Sequence, residues 1–192
     1  MSKYVALCGS RKGHGSDGPK VSAARQLMKL ATALVESKGE VVSVWDAAEI
    51  DFPIFEGKSL EDYSALPAAN LMKELNECNG LILSAPAYWG SLGGVIKNTL
   101  DLVGGAAYDI DPEIARKRLG NTLVFPIIVG AAPEDAGRGI EQLQYALKAM
   151  GARVSEARVL VDNPRTVDPE KLIRLVWEQA GDFVQELNAA IA

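Results

Sequence analysis

The sequence predicts an α/β domain in which a parallel β-sheet is covered by helices on both faces. Three observations carry that expectation. Short β-rich runs alternate with longer stretches of helical periodicity, the strand runs are rich in Val, Ile and Leu, and the intervals leave room for crossover helices. The expected strands are Tyr4–Cys8 and residues 41–45, 81–85, 123–129 and 153–161. Between them, the first helix starts at Ser22 as N-cap, carries Ala23, Leu27, Leu30 and Leu34 on one stripe, and stops at Gly39. The second is expected over residues 67–78 and the third from about 93 to 103. A fourth repeats Ile140, Leu143, Leu147 and Met150 at helical spacing until Gly151 closes it. The fifth has Asp168 as N-cap and Pro169 in the first position, followed by Leu172, Leu175, Val176, Phe183, Val184 and Leu187.

Composition narrows the function classes. At 192 residues, 48% of them hydrophobic, the chain buries a substantial core, and the absence of any linker or internal repeat predicts one domain over residues 1–192. With 20 Lys plus Arg against 25 Asp plus Glu, the net charge is -5. That leaves no broad basic surface for nucleic acid or anionic lipid, so neither is an expected partner. Cys8 and Cys78 stand beside apolar runs and show no metal-ligand or disulfide spacing, which fits a reducing compartment and no metal site. The apolar run after Met1-Ser2-Lys3 is too brief for a signal-peptide core, and no stretch reaches the roughly 18 apolar residues of a membrane span. A cytoplasmic protein is expected.

Two connections are long against the usual span of about 2 to 6 residues in α/β units. One runs from residue 9 to 21, and the other from 104 to 121, over 18 residues. In an open parallel sheet, ligands bind outside the carboxyl ends of the strands, which is where the first of these loops begins. It reads Gly9-Ser10-Arg11-Lys12-Gly13-His14-Gly15-Ser16, with glycines that let amides converge, hydroxyls that donate, and two cations. This is the chemistry of a phosphate cradle. The GxxxxGK[ST] pattern is absent, which disfavours nucleotide triphosphate hydrolysis, and a Rossmann dinucleotide site is not expected either. The same composition also suits a solvated turn. His14, the single histidine, has no acid or nucleophile readable beside it and is expected to be a solvated loop residue.

The third strand leads into Pro86-Ala87-Tyr88-Trp89-Gly90-Ser91-Leu92-Gly93-Gly94. Placed at the same sheet edge, two aromatics between turn residues can border a flat heteroaromatic ring such as a flavin; they can equally cap the core or form a subunit contact. Residues 86–91, together with Gly94, Lys97, Asn98 and Asp101, resemble the P-x-Y-x-G-S and G-x-x-K-N-x-x-D signature of the NADPH-dependent FMN reductase family. The Gly9-Ser10-Arg11 start and the glycine-bearing segment Gly130-Ala131-Ala132 with Gly137 and Gly139 resemble its other two ligand loops, and the likeness spans roughly residues 4 to 152. Lys97 and Asp101 are also spaced as a surface i,i+4 ion pair, worth about 0.3–0.5 kcal/mol.

That resemblance implies a flavodoxin-like three-layer fold with a five-stranded parallel sheet in the order 2-1-3-4-5. It further implies that Ser10, Arg11, Ser16 and Ser22 hold the FMN phosphate, that Pro86, Ala87, Tyr88, Trp89 and Gly90 border the ring, and that Gly130 and Ala131 approach its other edge. The expected activity is NAD(P)H-dependent, with hydride passing through flavin N5 to a flavin, quinone or similar small acceptor, and NADPH rather than NADH as donor. The resemblance also implies a homodimer or homotetramer. No acid–base or nucleophilic constellation is readable, so no catalytic side chain is assigned. The alternative is a flavodoxin-like electron carrier that binds FMN and is reduced by a protein partner; a third reading is a domain of this shape that has lost flavin and only assembles.

Overall fold

Alternate residues of β1 (Tyr4–Cys8) face opposite sides of the sheet, and both sides are apolar, so the strand is stable only in the middle of a covered sheet. It lies there. In the computed structural model, which describes residues 4–13, 21–50, 52–58, 60–63 and 69–191, β1 pairs in parallel with β2 (Val42–Asp46) and with β3 (Gly80–Tyr88). β3 pairs in turn with β5 (Leu123–Gly130), also in parallel. The outer edge of β5 carries two short strands, β6 (Arg153–Val154) near its start and β7 (Val159–Asp162) near its end. Counted by position, the parallel strands follow the expected order 2-1-3-4-5.

The fifth position departs from a single strand over 153–161. Ser155 breaks it: its hydroxyl accepts from Ala157 N at 3.1 Å and donates to Glu186, a local arrangement that replaces ladder pairing. A short antiparallel strand, β4 (Ser91–Leu92), also folds back on β3 where a loop was expected.

Two cores result. On one face, Tyr4, Ala6 and Phe125 pack beneath α1 (Ala23–Ser37) and α6 (Pro169–Ile191); on the other, Val5, Leu7 and Leu83 pack beneath α2 (Ala69–Glu77), α3 (Gly94–Ile110) and α5 (Asp135–Ala149). The caps follow the sequence reading. Ser22 Oγ accepts from Arg25 N at 3.2 Å, Asp168 Oδ1 from Glu170 N at 2.8 Å, and Gly39 and Gly151 take φ of +86° and +84°. Lys97 and Asp101 form the expected surface pair at 2.5 Å.

The segment 104–121 is not the unstructured connection that was expected. α3 runs on to Ile110, and α4 (Pro112–Ala115) follows directly. Gly104 and Gly105 read as helix terminators, yet they mark close approach. A Cβ on Gly104 would lie 3.0 Å from Met150 Sδ, and one on Gly105 would lie 2.1 Å from Phe55 Cε2. Packing against those side chains outweighs the ~1 kcal/mol that each glycine costs a helix. No helix among the described residues is long and apolar enough to cross a membrane.

Candidate functional site

The carboxyl ends of β1, β3, β5 and β7 open on one cavity of about 470 Å³, within the usual range for small-molecule sites. Its walls are Ser10 and Lys12 after β1, residues 21–24 at the start of α1, Pro86 and Tyr88 of β3, residues 129–131 at the end of β5, and residues 163–166 after β7. A smaller cavity of about 350 Å³ adjoins it. That one is bounded by residues 9–12, residues 93–95, and the shared Pro86 and Tyr88.

Each wall is fixed by backbone chemistry. Gly9 N donates to Ser84 O at 2.7 Å, and a Cβ on Gly9 would fall 2.7 Å from Ile96 Cβ, so the chain leaves β1 here only because there is no side chain. The hydroxyls of Ser10 and Ser22 are buried beside the first turn of α1, whose backbone amides and dipole favour an anion. Lys12 Nζ lies 5.9 Å from the centroid of the Tyr88 ring, a cation–π contact that joins the first and third loops. Cys8, just before the loop, is no nucleophile: burial pushes its thiol up to about 11, so it stays protonated near neutral pH.

Beneath the first loop lies an ion pair that the sequence reading missed. Arg25 is 4% exposed, binds both carboxylate oxygens of Asp46, and donates to Ser10 O at 2.9 Å and Gly13 O at 3.1 Å. An arginine three residues past an N-cap, on the core side of an amphipathic helix, is the signal that would have found it. Its partner was not readable.

The aromatic loop is a two-residue hairpin. Tyr88 pairs with Ser91, and Trp89 and Gly90 between them have φ of +58° and +70°, the positive pair that a type I′ turn demands. α5 holds this turn. Asp135 Oδ1 accepts from Gly90 N at 2.7 Å, while Gln142 donates to Gly90 O and accepts from Leu92 N, both at 3.1 Å. Trp89 is 98% exposed, so no burial offsets the cost of placing a bulky residue in the left-handed region. Trp89→Asn is therefore expected to raise stability by about 1 kcal/mol, measured as the urea midpoint. An unchanged or lower midpoint would mean that the indole is covered in solution.

The residues expected at the site divide into groups. Ser10, Ser22, Pro86, Tyr88, Gly130 and Ala131 line the main cavity, and Arg11 lines the smaller one. Ala87 is fully buried; its carbonyl accepts from Ala131 N at 3.1 Å, which links the third and fifth strands below the cavity. Trp89 and Gly90 form the hairpin tip and line neither cavity. Ser16 and His14 lie outside the described residues. Lys12, read as one of the cradle's two cations but not assigned to the phosphate, also lines the cavity, and missed altogether were residues 163–166, which close it after β7. The rule that ligands sit at carboxyl strand ends applied to them as well, and Asn163, at φ +47°, donates its N–H to Gly130 O at 3.0 Å.

The family model described as NADPH-dependent FMN reductase matches residues 2–165. The chain belongs to that family. The match runs through the loops after β1, β3 and β5 and ends at Arg165, within residues 163–166 and before α6. Similar solved structures share the fold of this FMN reductase family member: an apo NADH:FMN oxidoreductase at 18% identity and TM-score 0.73, covering 95% of this chain and 88% of that one; an azoreductase from Bacillus anthracis at 11% and 0.62, covering 98% and 100%; and a flavodoxin from Streptococcus pneumonia at 12% and 0.60, covering 96% and 98%. A search of curated proteins found no significant match. The fold is flavodoxin-like, and the chain is a flavin-dependent oxidoreductase by family.

Proposed function

We propose that this reductase binds FMN in the cavity at the carboxyl edge and uses it to pass electrons from NAD(P)H to a small acceptor such as a flavin, a quinone or an azo compound. The observation that carries this is the polarity of the cavity wall. The lining combines two buried hydroxyls, Lys12 and the first turn of α1, a donor set suited to a monophosphate, with Pro86, Tyr88 and Val129, an apolar surface suited to a planar ring.

Ser10, Ser22 and Lys12 would hold the phosphate, with Arg11 at the adjoining mouth, and Ser16 belongs to the same loop. Pro86, Tyr88, Gly130 and Ala131 would border the ring, while Ala87, Trp89 and Gly90 shape that border from outside the cavity. When bound, FMN supplies the redox chemistry, taking a hydride equivalent at N5 and delivering two electrons. The chain's own residues then need only bind and orient, which agrees with the absence of an activated thiol at Cys8. NADPH is the expected donor, as in the family's description. A homodimer or homotetramer is the expected assembly, implied by the family resemblance that residues 86–101 carry.

The test is anaerobic mixing of FMN-loaded protein with NADPH or NADH, following the oxidised flavin band at roughly 450 nm, then adding a quinone. Bleaching by a nicotinamide alone, reversed by the quinone, is expected. Failure of both donors, with normal reduction by a chemical reductant, would overturn the enzyme reading in favour of an electron carrier reduced by a partner protein.

A further inference from the structure

We propose that Arg25 is a positioning residue for the cofactor phosphate: held by Asp46, it draws the Ser10 and Gly13 carbonyls inward and so fixes the first loop, with the Ser10 hydroxyl, at the cavity. This rests on the FMN reading above.

The geometry makes Arg25 an organiser and not a ligand. A guanidinium has five N–H donors, and four contacts here use them: two to the Asp46 carboxylate, one to Ser10 O at 2.9 Å and one to Gly13 O at 3.1 Å. Its charge is balanced by Asp46 within the protein. Arg25 is 4% exposed and Asp46 is 7% exposed, so neither faces the cavity as a free charge, and neither is among the cavity's lining residues. What the pair controls is the direction of peptide planes.

In a trans peptide, the carbonyl of one residue and the N–H of the next point in opposite directions. No cis peptide occurs among the described residues. With Ser10 O drawn toward the guanidinium, the N–H of Arg11 points away from it, in the segment that bounds the smaller cavity. Arg25 holds two carbonyls of this glycine-rich loop, those of Ser10 and Gly13, from the same side. Asp46 completes the device by fixing the guanidinium plane with a fork-to-fork contact. It is itself anchored at the end of β2, where Oδ1 accepts from Ala48 N at 3.0 Å.

The prediction is a change in phosphate discrimination, which a purely structural role would not produce. FMN and riboflavin differ only in the phosphate, so their dissociation constants are measured side by side by quenching of flavin fluorescence. Three variants are compared with the wild-type chain: Arg25→Lys, which keeps the charge opposite Asp46 but not the fork; Asp46→Asn; and the double variant Arg25→Met with Asp46→Leu, which removes both buried charges and so avoids an uncompensated one. Arg25→Lys and the double variant are expected to weaken FMN by about tenfold or more, the scale of one lost charge-assisted contact, with riboflavin unchanged within about twofold. Asp46→Asn is expected to fall between these and wild type.

An FMN-to-riboflavin ratio that stays at the wild-type value in the folded variants would overturn the proposal, as would full rescue by lysine. Wild-type protein that binds riboflavin as tightly as FMN would instead sink the phosphate-cradle reading itself, a separate outcome visible before any variant is made.

Discussion

Gly130→Ala is expected to lower the unfolding free energy by about 1.5–5 kcal/mol and to weaken FMN binding at the same time. A Cβ at this position would lie 1.8 Å from Asp162 Oδ1, 2.8 Å from Ala136 N and 2.9 Å from Asp135 Cβ. The φ of Gly130 is not in the left-handed region, so the cost is steric and not conformational. Asp162 is the atom set that must give way. Its carboxylate accepts from Glu134 N at 2.9 Å and from Ala136 N at 2.8 Å, satisfying two amides at the start of α5. Overpacking of about 1–3 kcal/mol and loss of a cap worth about 0.5–2 kcal/mol combine to the figure above.

The effect reaches the site because the same residue touches three loops. Gly130 lines the cavity, its carbonyl accepts from Asn163 N, and Asp135, displaced with the start of α5, holds the Trp89–Gly90 turn. Chemical denaturation and an FMN titration of the same preparation would check both halves. The double variant Gly130→Ala with Asp162→Ala should regain part of the stability by removing the clash. A single variant that unfolds at the wild-type midpoint would show that the backbone shifts freely there.

Phe183→Ala is expected to cost about 3–5 kcal/mol of stability, the range for deleting a buried aromatic, and to leave the FMN affinity of the folded protein as it is. Phe183 is fully buried on α6. It stacks on Phe125 with centroids 5.2 Å apart and planes 18° apart, and meets Tyr4 edge-on at 6.1 Å and 80°. None of the three residues lines either cavity at the carboxyl edge. Thermal unfolding and the same FMN titration, run below the lowered melting temperature, separate the two effects. A parallel loss of affinity would mean that the α6 face and the ligand loops are coupled through the sheet.

The helix caps, the strand runs and the signature around Tyr88 were legible in the sequence for one reason: each is written in residues close along the chain. Ser22 caps a helix that begins at the next residue, Asp168 and Pro169 open another, and the alternation of apolar runs with helical stripes is a local periodicity. The order of the sheet came with the family resemblance that the residue 86–101 pattern carries. From these, the ligand edge and most of the cavity's lining could be placed.

What only the tertiary structure decided involves contacts between distant residues, where local pattern holds no information about the partner. Arg25 and Asp46 are 21 residues apart, and the Trp89–Gly90 hairpin depends on Asp135 and Gln142, which lie 45 and 52 residues beyond Gly90. Gly104 and Gly105 carry a helix-breaking propensity that the sequence shows, but the sulfur and the ring that fill the space above them come from Met150 and Phe55. The break in the last strand likewise depends on where Ser155 finds Glu186. In each case a short-range preference was overridden or completed by packing, because a buried charge, a close helix crossing or an exposed turn is stable only when its long-range partner is in place.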